Sequence, residues 1–182
     1  MESAPPIEPD TKDWTWVLEQ PCPDCGFDPA VVDRAELGSL IRANAAAWSA
    51  ALTGPQVTVR PSPDVWSVTE YACHVRDVHV LFAERVALML REDEPEFANW
   101  DQDATAVESR YDLADPAEVS PQLVAAAQAA ADAYDGVADD GWSRPGRRDN
   151  GSVFTVESIG RYHLHDVAHH LWDVTGAPTT GP

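Results

Sequence analysis

Lysine is almost missing: Lys12 stands alone among 182 residues, and the formal net charge is −19. A nucleic-acid partner wants a basic stripe along its phosphates. The nearest thing here is the short cluster Arg144, Arg147, Arg148, so nucleic acid is not an expected partner. The same field disfavours anionic membrane surfaces, and anionic substrates unless they meet local arginines or a metal. Its plainest role is solubility. Long apolar runs are missing too: none approaches the roughly 20 residues of a membrane-spanning helix. Met1 to Thr11 is acidic and proline-rich, without the basic start and apolar stretch of a secretory signal. The expected address is therefore the cytoplasm, with no membrane partner. Cysteine is scarce. Cys22, Cys25 and Cys73 are too few, and odd in number, for a secreted disulfide framework.

What remains is ample for one buried core. Hydrophobic residues make up 44%, and a chain of this length makes one domain more comfortably than two. Alanine-rich segments with arginine in place of lysine point to a GC-rich bacterial genome. Residues 1–27 read as an irregular N-terminal arm rich in proline, and residues 28–182 as the folded domain.

Asp28-Pro29 has the form of a helix start, a capping carboxylate followed by proline at the first helical position. From there apolar spacing supports a helix to about Leu52, where Thr53-Gly54-Pro55 stops it. Ser67-Val68-Thr69-Glu70 is a capping box, opening a helix to about Arg91 with Val75, Val78, Phe82, Val86 and Met89 at helical spacing. A short helix is expected around Ala104 to Arg110. Ser120-Pro121 reads as the start of a third long helix ending near Gly136, followed by a loop over 137–153. Thr155 caps a fourth, which ends at the C′ glycine Gly176. Four long helices with little strand signal indicate an all-α four-helix bundle. The long connections between them suggest crossovers, or loops that build a site at one end.

Four of the six histidines fall within Tyr162-His163-Leu164-His165-Asp166-Val167-Ala168-His169-His170. On a helix His165 and His169 project from one face, a spacing that lets two imidazoles reach one metal. His163 and His170 also share a face but lie about 10 Å apart along the axis, too far for one ion. A third ligand must come from elsewhere. His74 and His79, both on the second helix, are the remaining histidines, and geometry does not choose between them.

Trp66-Ser67-Val68-Thr69-Glu70-Tyr71-Ala72-Cys73-His74 resembles the W-S-x-x-E-x-x-x-H signature of the DinB/YfiT-like superfamily. Arg161 to His170 resembles that superfamily's second motif, a histidine pair four apart on the last long helix. The resemblance covers roughly residues 30 to 175. It implies a four-helix bundle that holds a divalent metal, zinc or nickel, through His74, His165 and His169, with a further position open to water or substrate. It also implies chemistry on small molecules. Several members resemble thiol transferases that use bacillithiol, mycothiol or glutathione, and a related group contains mycothiol-dependent maleylpyruvate isomerases.

The first functional expectation is thus a metal-dependent enzyme that activates a low-molecular-weight thiol, mycothiol by the compositional argument, for transfer to a small electrophile. Asp77 and Asp166 are candidates to orient the imidazoles. Arg147, Arg148 and Arg161 are candidates to receive carboxylates, and Trp66 and Trp142 to wall a pocket. Glu70 is read as completing the helix cap rather than as a base. A metal-dependent small-molecule hydrolase is the first alternative. A non-catalytic, metal-binding stress-response module is the second. Cys22-Pro23-Asp24-Cys25 offers a redox pair, half a zinc knuckle, a lid, or an ordinary proline-rich turn. No second C-x-x-C exists, so a four-cysteine zinc site cannot form within one chain. A homodimer through the alanine-rich helix is also an expectation.

Overall fold

Capping carboxylates and prolines decide where the helices begin. In this computed structural model, which describes Ile7 and residues 12–178, the Asp28 carboxylate accepts from the Ala30 N–H, with Pro29 next to it. Only a 3-10 turn forms, Pro29–Val31. Val32 returns to extended backbone, and Asp33 starts a second turn by accepting from the Ala35 N–H. The first full helix, α1, therefore runs only from Leu37 to Ala51. The expected start at Asp28 is corrected: two aspartates in quick succession each close a local turn that competes with helix propagation.

The capping box forms as expected. Ser67 Oγ accepts from the Glu70 N–H, the Glu70 carboxylate accepts from the Ser67 N–H, and α2 spans Val68–Arg91. Asp101 caps a short α3, Gln102–Glu108. The next long helix, α4, spans Pro116–Asp135 and starts one turn before the expected Ser120-Pro121. Asp115-Pro116 carries the same cap-then-proline signal, and Pro121 lies inside the helix. Thr155 and Ser158 form a second capping box for α5, Val156–Thr175, which ends on Gly176 at φ 65°.

The expected 137–153 loop contains strand structure. β1 (Glu96–Phe97) pairs in parallel with β2 (Pro145–Arg148), which pairs antiparallel with β3 (Val153–Thr155). Gly146 lies so close to Met89 that an added Cβ would sit 2.7 Å from its Cγ, which seats the sheet directly on α2.

In the bundle, α1 and α2 each pack against both α4 and α5. The pairs α1/α2 and α4/α5 thus sit across the diagonals while α2 packs beside α4, an order that the long connections make possible. The core between them holds Leu37, Ile41, Trp48, Val75, Val86, Leu123, Ile159 and Val167. The arm joins that core: a 3-10 turn, Thr15–Leu18, packs on α5, and Cys22, Cys25 and Phe27 are buried. Most of Met1 to Thr11, where no secretory signal is expected, lies outside the described residues. Among the described residues no helix is long and apolar enough to cross a membrane.

Candidate metal centre

Because α5 turns by about 100° per residue, its histidine-rich stretch presents two different faces. The first carries Asp166 and His170. There His74 of α2 meets them: His74 Nε2 lies 3.5 Å and His170 Nε2 3.8 Å from Asp166 Oδ1. Ligating atoms of the three residues all fall within 4.8 Å of one another. The second face carries His165 and His169, whose rings are 5.2 Å apart. These meet Cys22 and Cys25 of the arm, again with all four ligating atoms within 4.8 Å.

The expected trio of His74, His165 and His169 is therefore not gathered into one cluster. The reason is helical phase: residues 165/169 and 166/170 share the same spacing but point about 100° apart, and α2 lies on the side of the second pair. Asp166, expected to orient an imidazole, instead contributes a potential ligand. His170, set aside because it pairs poorly with His163, pairs well with Asp166. The sequence held that signal as D-x-x-x-H interleaved with H-x-x-x-H.

His79, the other option for a third ligand, is in the core. Its Nδ1 is 2.9 Å from His163 Nε2, and His163 Nδ1 is 3.2 Å from the Tyr134 hydroxyl. Phe82 stacks on the His163 ring at 4.7 Å. Burial pushes His79 down to about 4 and His163 well below its ordinary value, so this chain of rings is neutral.

The His74 cluster has the marks of a cation site. His74 is fully buried, and neither of its nitrogens has a hydrogen-bond partner among the described residues; Asp166 Oδ1 has none either. Unsatisfied buried polar atoms are costly and call for an explanation. Two ligands bonded to one ion at about 2.0–2.2 Å in tetrahedral array sit about 3.4 Å apart, close to the 3.5 Å between His74 Nε2 and Asp166 Oδ1. Burial lowers the His74 pKa despite the neighbouring Asp166. Burial alone would raise the Asp166 carboxyl, but His74 and His170 beside it hold it below its ordinary range. Neutral imidazole and ionised carboxylate are the forms that bind metals.

Neighbouring groups fix these side chains. Trp100 stacks on the His74 ring at 5.3 Å and 12°, and Trp66 lies against it at 5.5 Å. Asp173 Oδ2 is 2.9 Å from His170 Nδ1, the carboxylate–imidazole contact that orients a ligating histidine. Asp77 does not play that part for His74: its carboxylate is taken by Arg76 Nε at 2.7 Å and by the Tyr111 hydroxyl.

Asp166 and His170 open into a cavity of about 910 Å³ walled by Trp14, Trp66 and Trp100. Arg85 and Arg148 also line it. Both are nearly buried, and among the described residues the Nε of each has no hydrogen-bond partner. Burial pushes Arg85 down to about 10, with Arg148 adding to the effect. Of the expected pocket residues, Trp66 and Arg148 line this cavity. Trp142 lies instead under the Arg34 guanidinium, Arg147 pairs with Glu94, and Arg161 donates to the Val32 carbonyl and pairs with Glu157. None of these three lines the cavity. Sequence reasoning missed Trp14, Trp100 and Arg85, which lie far apart along the chain and converge only in the fold.

No curated protein sequence matches the chain. Its fold matches YfiT from Bacillus subtilis, a probable metal-dependent hydrolase with an unusual four-helix bundle topology. The TM-score is 0.71, with 20% identity over 79% of this chain and 84% of that one. A model of the DinB superfamily matches residues 6–174. With nearly the whole described chain inside that match, the protein belongs to the DinB superfamily.

Proposed function

We propose that this protein is a metal-dependent hydrolase of small, anionic molecules, with His74, Asp166 and His170 as the protein ligands of one divalent ion. The observation that carries this reading is the set of unsatisfied polar atoms, two nitrogens of His74 and one oxygen of Asp166, buried together behind the cavity that Asp166 and His170 line. A two-histidine, one-carboxylate set suits zinc with an open position. When bound there, the ion supplies Lewis acidity, polarising a substrate carbonyl and making water nucleophilic near neutral pH. The chain supplies the rest. Trp66 and Trp100 shield His74 from water, Asp173 holds the His170 ring, and Arg85 and Arg148 bring positive charge to the cavity wall for a carboxylate or phosphate on the substrate. YfiT, described as a probable metal-dependent hydrolase, is consistent with this reading.

Thiol transfer is the second reading, and the cavity favours it: about 910 Å³ is at the upper end of small-ligand sites, roughly 300–1,000 Å³, with room for a thiol beside an electrophile. One assay separates the two. The metal-loaded chain is given a panel of anionic esters and amides, with and without low-molecular-weight thiols. Hydrolysis without thiol is expected. His74→Ala and Asp166→Asn should each lower it by about two orders of magnitude or more, as loss of the ion's chemistry would. Turnover that requires thiol would replace the first reading with the second.

A further inference from the structure

The neighbouring face of α5, about 100° round the helix and bordering the same cavity, holds a second set of ligands that the proposed reaction does not use. Cys22, Cys25, His165 and His169 come from two distant parts of the chain, yet all are at most 9% exposed. None of the cysteines is in a disulfide, and His165 Nε2 is buried without a hydrogen-bond partner among the described residues. Cys22 Sγ lies 3.6 Å from His169 Nδ1. For a tetrahedral ion with a metal–sulfur bond of about 2.3 Å and a metal–nitrogen bond of about 2.0–2.1 Å, the sulfur–nitrogen edge is about 3.6 Å.

The loop is shaped for the same task. The Cys22 N–H donates to the Phe27 carbonyl at 2.8 Å and the Gly26 N–H to the Cys22 carbonyl at 3.0 Å. This closes a tight knuckle that turns both sulfurs to one side. Gly26 sits at φ 78°, a conformation open to glycine at little cost. The C-x-x-C is completed by the H-x-x-x-H of α5, a Cys2His2 set rather than the four-cysteine set that the sequence excludes.

We propose that Cys22, Cys25, His165 and His169 form a second, structural metal site, selective for a zinc-like ion, that fastens the N-terminal arm to α5. On binding, both thiols give up a proton to solvent and become thiolates, and the imidazoles bind as neutral rings. Four protein ligands saturate a tetrahedral ion, so this site holds the fold and leaves no position for substrate. What it positions is Trp14, whose ring lies 5.1 Å from that of His169 and 5.8 Å from that of His165 and forms part of the cavity wall. A metal there would thus hold the arm in place as one side of the pocket.

The test is cobalt(II) titration of the full-length, metal-free chain. Two equivalents are expected, one of them with the near-ultraviolet sulfur-to-cobalt charge-transfer band and intense visible bands of a tetrahedral thiolate site. Cys22→Ser and Cys25→Ser should each abolish the charge-transfer band and reduce binding to one equivalent, whereas Cys73→Ser should leave both unchanged. His170→Ala should keep the band and lose the other equivalent. Should the cysteine variants fail to fold, X-ray absorption of the zinc-loaded wild type decides, with two sulfur and two nitrogen neighbours expected at one of its ions. The proposal is overturned if wild type shows no thiolate band, if the band survives Cys22→Ser, or if Cys22 and Cys25 are recovered as a disulfide. Failure of the catalytic reading is distinct: one equivalent, with the thiolate band intact.

Discussion

Asp173 stands between the two ligand sets. Its Oδ2 is 2.9 Å from His170 Nδ1, and its Oδ1 is 3.8 Å from His169 Nε2. On each ring the facing nitrogen is the one turned away from the metal position: His170 Nε2 looks to Asp166, and His169 Nδ1 to Cys22. Carboxylates placed behind ligating histidines fix the ring and raise its basicity, and removing them costs about 10- to 100-fold in metal affinity. Asp173→Asn is expected to weaken zinc binding by that order, read in competition with a chromogenic chelator. An unchanged affinity would mean that the carboxylate only decorates the helix surface.

At the scale of elements, close contacts of α5 set the register that separates the two faces. An added Cβ at Gly160 would sit 2.6 Å from Leu37 Cδ1 and 3.0 Å from Tyr134 Cε1, so α5 meets α1 and α4 through a backbone left bare. Gly160→Ala should therefore destabilise the chain by about 1–3 kcal/mol through overpacking, despite alanine's better helix propensity, and denaturant unfolding measures it. The elements themselves were largely legible in the sequence. The box at Ser67, the cap at Thr155 and the glycine at 176 act through atoms a few residues apart, so local pattern suffices. Asp28 misled because Asp33 repeats its signal, and the 137–153 strands escaped notice because β2 finds its parallel partner about 50 residues upstream. The site was legible in its residue types but not in its grouping. H-x-x-x-H and D-x-x-x-H are one residue out of phase on the same helix, and only the positions of α2 and the arm decide which partners each pair receives.

For the whole molecule, charge and burial make opposite demands on acidification. A formal charge of −19 implies self-repulsion that protonation would relieve. The buried His79–His163–Tyr134 chain works the other way. His79 titrates near 6.5 when unfolded and is pushed down to about 4 by burial in the fold. Between these values the unfolded state binds the proton and the folded state does not, so stability falls as pH drops through that window and is fully present above it. With metal removed by chelator, the urea midpoint should be lower at pH 5 than at pH 7.5. His79→Gln, which can still bond to His163, should lessen the dependence, with His163 keeping the remainder. A midpoint that rises on acidification would show that relief of the net charge dominates.

Helix α5 divides its ligands between two partners, and the proposed reactive ion is held by His74, Asp166 and His170. Anomalous diffraction at the zinc edge, from crystals of the zinc-loaded chain, tests this most directly. A peak is expected within about 2.0–2.2 Å of His74 Nε2, Asp166 Oδ1 and His170 Nε2. A peak shared by His74, His165 and His169, or no peak beside His74 at all, would contradict it.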